Sequence, residues 1–360
     1  MVNTKSIPSC PRTVSVLAGG ASAERDVSLR SGAAVAAALR VGGHRVIEVD
    51  PAERNIASIR WDAVECPLEW SDGRFSTAAV TSHPLPVTRV DVVFLALHGA
   101  FGEDGGVQEI LDSHGIPYTG SGAVASRIAF SKTAAKQAFI AQGVLTPRFV
   151  GIHFSDDEVR LHAAAEAIGY PLVVKPDRQG SSIGVTIVET PDRLLDATRE
   201  CFRFDSVGLM ESAIIGSEWT VGVIDDNPLP PIRIETSRSF FDFSAKYDDD
   251  TTRYEFDGDS PALRRIAEIG CDACRAVGTQ GIARVDLRID AVGNPFVLEV
   301  NTIPGMTDHS LVPKAAARCG MSMTDLCERA IDSAFRSHHQ RQNAQPQRDR
   351  HSSGVRRRAG

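Results

Sequence analysis

The sequence predicts an α/β (α+β) protein in which a parallel α/β layer is followed by two mixed α+β units. Three observations carry this reading. Short apolar strands alternate with Ala-rich helical runs from Thr13 to Gly106. A Gly/Ser loop, Gly180-Ser181-Ser182-Ile183-Gly184, separates two strand-like runs in mid-chain. Near the C-terminal end, a hairpin sorts its polar and apolar residues onto opposite faces. Alternation of strand and helix is the pattern of a parallel sheet covered by helices.

The elements follow in order. Thr13–Ala18 is β-prone and is broken by Gly19-Gly20, Val27–Arg40 reads as a helix, and His44–Asp50 reads as a second strand. Val90–Leu97 is a continuous apolar run, the pattern of a strand buried on both faces. It ends at His98-Gly99, and Gly102-Glu103-Asp104-Gly105-Gly106 then opens a helix. Ligands of parallel layers gather beyond the C-terminal ends of the strands, which brings Glu24 and His98 together. The second unit has a helix over Ser126–Gln142, a strand Arg148–Ile152, a helix Asp156–Ile168 and a strand Tyr170–Lys175. The loop Pro176–Gly184 and a strand Val185–Glu189 complete it. Backbone N–H groups of such a loop close around an anion. Lys175 and Lys132 can each set a point charge on a phosphate, although neither GxxxxGK[ST] nor GxGxxG is present. The third unit holds a Glu218–Ile234 hairpin, an aromatic loop Phe240–Tyr247, a helix Pro261–Val277, the C-terminal hairpin and two closing helices. The expected division is an arm 1–12, an N-terminal domain 13–124, a central unit 125–215, a C-terminal unit 216–335 and a tail 336–360.

In the C-terminal hairpin, Arg284–Ile289 and Phe296–Asn301 flank a turn at Val292-Gly293-Asn294. A turn centred there sets Asp286 opposite Glu299 and Arg284 opposite Asn301, all on one face. Val285, Leu287, Ile289, Phe296, Leu298 and Val300 take the other face. Two carboxylates and an amide so spaced suit a hard cation such as Mg²⁺, which binds through one or two carboxylates plus substrate phosphates. The alternative is a solvated, salt-bridged face. The turn-rich stretch Thr302-Ile303-Pro304-Gly305-Met306-Thr307, leading to His309-Ser310-Leu311, argues for a built site.

The 360 residues, 42% hydrophobic and 24% charged, suffice for a large core in two or three domains. No apolar run reaches the roughly 18 residues of a membrane span, and no signal-like segment precedes Cys10. A cytoplasmic protein is expected. Seven cysteines fit reduced thiols, and Cys271-x-x-Cys274, without a second pair, reads as structural. The net charge of −7 conceals an asymmetry: seven arginines and one aspartate from Arg336 onward give +6, leaving −13 for the rest. The tail reads as disordered. The acidic body is no nucleic-acid footprint, and no membrane partner is expected.

Together these motifs resemble the ATP-grasp superfamily, and within it the D-alanine–D-alanine ligases. The residues that carry the resemblance begin with Gly19-Gly20-Ala21-Ser22-Ala23-Glu24-Arg25-Asp26-Val27-Ser28-Leu29, His98-Gly99, Gly102–Gly105, Lys175-Pro176 and Gly180-Ser181-Ser182. Ala245-Lys246-Tyr247, Arg284 with Asp286, Glu299-Val300-Asn301-Thr302 and Pro304-Gly305-Met306-Thr307 complete them, over residues 13–335. The resemblance implies an ATP-grasp fold whose two mixed subdomains clasp ATP, and ATP-dependent joining of two D-alanines through a D-alanyl phosphate for peptidoglycan. It implies that Asp286, Glu299 and Asn301 hold two Mg²⁺ (or Mn²⁺), with Glu299 bridging. Lys132, Lys175, Lys246 and Ser182 would meet the ATP phosphates, and Glu211 and Glu218 the adenine and ribose ends. Arg284 and the Gly305 N–H would stabilise the oxyanion. Glu24, with His98 beside it, matches the anchor of the first substrate's ammonium, and Ser310 and Leu311 match contacts to the second carboxylate. Ser181, Tyr247 and Glu24 match a trio that pins the closing loops. Relatives are usually homodimers. Departures from the family pattern fall at Ile303, Phe130-Ser131, Ser212-Ala213, Gly106 and Glu109.

Two other readings stand beside this one. The same acyl-phosphate chemistry could serve D-serine, D-lactate or an amino acid of specialised metabolism, because a methyl or hydroxyl discriminates by only ~1–3 kcal/mol. A non-catalytic scaffold recruited through the arginine tail is the other; the presence of Lys175, Arg284, Asp286, Glu299 and Asn301 argues against it.

Overall fold

The structure is a computed structural model that describes residues 10–65, 68–71, 74–77, 87–235, 253–256, 258 and 260–344. The expected loop Phe240–Tyr247, with Lys246 and Tyr247, lies outside the described residues.

Three principal sheets organise these residues. The first is parallel, in the order Arg45–Val49, Thr13–Leu17, Val92–Leu95. Its middle strand is apolar enough to be buried on both faces. The helix Arg25–Val41 packs on it through Val35, Ala36 and Leu39. The second sheet is antiparallel, in the order Thr186–Val188, Leu172–Pro176, Val207–Ser212, Phe149–His153. The helices Glu158–Ile168 and Leu194–Phe202 bury Leu161, Ile168, Leu194 and Cys201 against it. The third sheet is also antiparallel and runs Arg253–Glu255, Ile232–Glu235, Gly216–Ile224, Ile282–Asp290, Pro295–Asn301. The helix Pro261–Val277 covers it with Ile266, Ile269 and Cys274, so the CxxC cysteines are core residues.

Three expectations need correction. The helix expected over Ser126–Gln142 is two helices, Ala123–Phe130 and Lys132–Ala141. Ser131 leaves the helical conformation and caps the second by accepting a hydrogen bond from the Ala134 N–H, the usual work of a serine at such a position. The C-terminal hairpin has the expected pairs, Arg284 with Asn301 and Asp286 with Glu299, but carries a β-bulge between Asp286 and Leu287. Leu287 therefore pairs with Val297, and Leu298 is the extra residue. One inserted residue reverses the alternation beyond it. Val297 takes the core position expected of Leu298, while Phe296 and Leu298 are only half-buried. Finally, the expected disordered tail does not begin at Arg336. The last helix, Met323–Ala344, runs through it, with Arg336 paired to Asp225 at 2.8 Å and Arg341 lying 4.4 Å from the Tyr118 ring centre.

Candidate active site

Two cavities meet where the three sheets converge. The larger, about 450 Å³, is lined by Glu24, His98, Arg284, Gly305, Ser310 and Leu311 among others. The smaller, about 170 Å³, is lined by Lys175, Ser182, Glu211, Glu218, Asp286 and Leu298 among others. Lys132, Gln179 and Glu299 line both. These three residues are the partition between two otherwise separate chambers.

The floor of the larger cavity grows from the first parallel strand. Gly19 and Gly20 both take positive φ, a conformation open to glycine at little cost. Ser28 accepts the Gly19 N–H at 2.8 Å and donates to Ala96 O at 2.7 Å, tying the loop to the neighbouring strand end. Asp50 accepts the Gly20 N–H at 2.9 Å and pairs with Arg25 at 2.6 Å. Glu24 is thus set at the mouth of the helix Arg25–Val41, buried. Ser181 donates to its carboxylate from the mid-chain loop. A Cβ on Gly180 would lie 2.7 Å from Glu24 Oε2, so a larger residue there would have to displace the Glu24 carboxylate. Ser181 and Ser182 themselves hold positive φ, at 51° and 58°, a strained conformation for residues with a Cβ.

The Gly102–Gly105 run is a scaffold for the His98 loop. Glu103 accepts the Gly99 N–H at 2.7 Å, and Asp104 accepts the Phe101 and Gly106 N–H groups at 2.8 and 2.9 Å. Burial, reinforced by the Glu24 charge, pushes the Glu103 carboxyl up to about 8. Burial, with the Arg284 charge beside it, holds His98 down to about 4, so its ring is neutral at ordinary pH. His98 Nε2 lies 3.1 Å from Ser31 Oγ, which also accepts the Met306 N–H at 3.3 Å. On the far wall, Ser310 precedes the helix Leu311–Arg318 and accepts the Thr307 N–H at 3.1 Å. Gly305 lies close enough that an added Cβ would sit 2.8 Å from the Ser310 hydroxyl. A helix N-terminus flanked by a hydroxyl favours a carboxylate.

Across the partition, Lys132 donates to Gln179 O at 2.6 Å and lies 3.5 Å from Glu299. Asp177 fixes its helix, accepting from the Ser131 hydroxyl at 2.7 Å and the Thr133 N–H at 2.8 Å. Arg284 grips Asp286 with two nitrogens, at 2.9 and 2.8 Å, and Thr220 donates to the same carboxylate at 2.7 Å. Asn301 Oδ1 accepts the Ile303 N–H at 3.0 Å. In the smaller cavity, Lys175 donates to Glu211 at 2.5 Å, and Glu218 lies 3.5 Å from Arg288. Burial opposes ionisation of Glu211, but Lys175 and Lys136 outweigh it and hold the carboxyl below its usual value.

Sequence profiles described as D-ala D-ala ligase N-terminus and D-ala D-ala ligase C-terminus match residues 13–121 and 140–332. A D-alanine–D-alanine ligase of Ectopseudomonas mendocina is 41% identical over 315 residues, 87% of this chain and 91% of that protein. The chain belongs to the D-alanine–D-alanine ligase family. A second member, from Halorhodospira halophila, is 41% identical over 90% of this chain and 96% of its own length. Among solved structures, the D-alanine–D-alanine ligase of Bacillus anthracis complexed with ATP aligns with a TM-score of 0.72 at 28% identity, covering 92% of this chain and 99% of that one. A D-Ala:D-Ser ligase from Enterococcus faecalis aligns with a TM-score of 0.73 at 26% identity, covering 90% and 100%. The parallel sheet and two antiparallel sheets are thus those of the ATP-grasp fold.

Every described member of the expected site lines one of the two cavities; Lys246 and Tyr247 lie outside the described residues. Several residues that shape this ligase-family site were missed: Gln179 in the partition, Thr220 behind Asp286, Leu298 in the smaller cavity and Lys136 behind Glu211. A signal for Lys136 was present, since it lies one helical turn after Lys132. Leu298 gave none, because the bulge that turns it depends on three-dimensional packing.

Proposed function

We propose that this chain joins two D-alanines to D-alanyl-D-alanine with cleavage of ATP to ADP and phosphate, supplying a peptidoglycan precursor in the cytoplasm, as a homodimer. The observation that carries this reading is the pair of cavities with a common wall. One has a buried carboxylate for an ammonium and a helix N-terminus for a carboxylate; the other has lysines for phosphates and an apolar flank. Phosphoryl transfer to the first D-alanine's carboxylate takes place at the wall they share, where Lys132 is held.

In this reading Glu24 receives the first substrate's ammonium while His98 and Ser31 support the floor. Lys132, Lys175 and Lys246, with the Ser182 backbone, meet the triphosphate, and Glu211 and Glu218 meet the adenosine end. The acyl phosphate is attacked by the second D-alanine's amine, whose own carboxylate sits at Ser310 and Leu311. Arg284 and the Gly305 N–H stabilise the resulting oxyanion, a role worth ~3–4 kcal/mol per donor. Ser181, Tyr247 and Glu24 hold the loops shut against water, to which an acyl phosphate is vulnerable.

The oxygen donors of Asp286, Glu299 and Asn301 share one face of paired strands, and a carboxylate already hydrogen-bonded retains further lone pairs. Among the described residues no three His, Cys, Asp or Glu side chains converge as a self-sufficient metal cage. That donor set fits Mg²⁺ or Mn²⁺ completed by phosphate oxygens and water. Two such ions held there would screen the repulsion between triphosphate and substrate carboxylate.

Phosphate release from Mg²⁺-ATP, with D-alanine, L-alanine, D-lactate and D-serine offered singly and in pairs, tests the assignment. D-alanine alone should sustain turnover and yield the dipeptide by mass. The likeness to a D-Ala:D-Ser ligase supports a second reading, in which only a mixed pair turns over. Silence with every pair would refute both. Glu299→Gln should abolish turnover and leave the circular dichroism spectrum unchanged; retained activity would sink the metal assignment.

A further inference from the structure

In and behind the wall of the smaller cavity lies a buried trio of charges that the reaction scheme does not use in full. Glu211 is bound by two lysines, Lys175 at 2.5 Å on one oxygen and Lys136 at 2.7 Å on the other. All three side chains are almost wholly inaccessible: Lys136 at 0%, Glu211 at 4% and Lys175 at 7%. A buried carboxylate needs one cation; the second leaves a surplus positive charge in a poorly solvated place. Such a surplus is relieved when an anion arrives.

The two lysines are not equivalent. Lys175 lines the smaller cavity, and among the described residues its side chain pairs with Glu211. Lys136 lies outside both cavity walls and also donates to Thr146 Oγ1 at 2.7 Å, which in turn donates to Val297 O at 2.8 Å. Lys136 is thereby anchored to the strand that bears Leu298 and Glu299. One cation is fixed and the other faces the space where the phosphates would lie.

We propose that Lys136 is a positioning residue for nucleotide binding: it remains as the counter-ion of Glu211, so that Lys175 can transfer from that carboxylate to the triphosphate. The proposal rests on the smaller cavity being the ATP site. Without the Lys136 charge, Lys175 is the one cation left on Glu211 among the described residues, and ATP can recruit it only by stranding a buried carboxylate. Lys136 keeps enough charge for this role, since burial lowers it only to about 8. The Thr146 bond further links the position of Lys136 to the bulged strand, so the same lysine steadies the carboxylate on one side and Leu298 on the other.

The test is a double-substitution cycle read by ATP affinity, measured by calorimetry on the full chain. Lys136→Met should weaken ATP binding about tenfold to a hundredfold, with the KM for D-alanine unchanged. In a Glu211→Gln background there is no carboxylate to strand, and adding Lys136→Met should cost less than about threefold. An equal loss in both backgrounds would reduce Lys136 to a packing residue and overturn the proposal. If Lys136→Met alone fails to fold, the comparison of Glu211→Gln with the double variant decides: near-equal affinity supports the proposal, and a gap of about tenfold or more overturns it. Absence of ATP binding by the unsubstituted chain would instead remove the reading of the cavity, and this proposal with it.

Discussion

Glu103 shows how a residue can be conspicuous in sequence while its work stays hidden. It is buried, accepts the Gly99 N–H, and has its carboxyl raised from 4.5 to about 8 by burial and by the nearby Glu24 charge. A raised carboxyl pKa favours the protonated folded state. Its contribution to stability is complete below the ordinary carboxylate value and is lost as pH rises toward about 8. Glu103→Gln keeps the shape of the neutral acid and cannot ionise. The melting temperature of this variant, relative to the parent, should therefore climb between about pH 5 and about pH 8.5; a constant difference would mean that Glu103 stays ionised. The Gly102–Gly105 motif was legible in the sequence, but its role as a brace was not. The brace consists of hydrogen bonds that Glu103 and Asp104 accept from the Gly99 and Phe101 N–H groups, which exist only once the loop has closed on itself.

Among the elements, the C-terminal hairpin was the most legible and also contains the clearest miss. Alternation located both strands and placed Asp286 opposite Glu299, because a half-buried strand must sort its side chains by face. One inserted residue then moved Leu298 from the core to the smaller cavity and put Val297 in its place. The bulge separates two leucines that the sequence presents as equals. Leu287 is wholly buried, so Leu287→Ala should lower unfolding free energy in urea by ~2–5 kcal/mol. Leu298→Ala removes cavity wall, so it should raise the KM for ATP severalfold while costing less than ~1 kcal/mol of stability. Equal losses of stability at the two positions would place Leu298 in the core after all. The break at Ser131 was missed for a similar reason: the run Ala123–Ala141 is helix-prone throughout, and the Asp177 carboxylate that makes the interruption favourable comes from a different part of the chain.

At the scale of the molecule, one hydrogen bond reaches across the larger cavity, from Ser181 on the mid-chain loop to Glu24 on the N-terminal layer. The sequence offered the glycines of that loop and the acid at the helix start, 157 positions apart, and the family resemblance paired them. Composition and spacing alone could not, because nothing local says which remote carboxylate a loop serine will meet. Ser181 and Ser182 hold strained positive φ values and Gly180 lies against the Glu24 carboxylate, so the closed loop persists through this contact rather than through local preference. Loss of the hydroxyl should therefore loosen the lid more than it alters either chamber. Water would then reach the acyl phosphate before the second amine does. Ser181→Ala should leave ATP affinity within about threefold of the parent, lower the rate of dipeptide formation, and raise the phosphate released per dipeptide formed. Parallel measurement of phosphate and dipeptide decides the matter: a slower enzyme that still releases one phosphate per dipeptide would show that the contact positions substrate without guarding the intermediate.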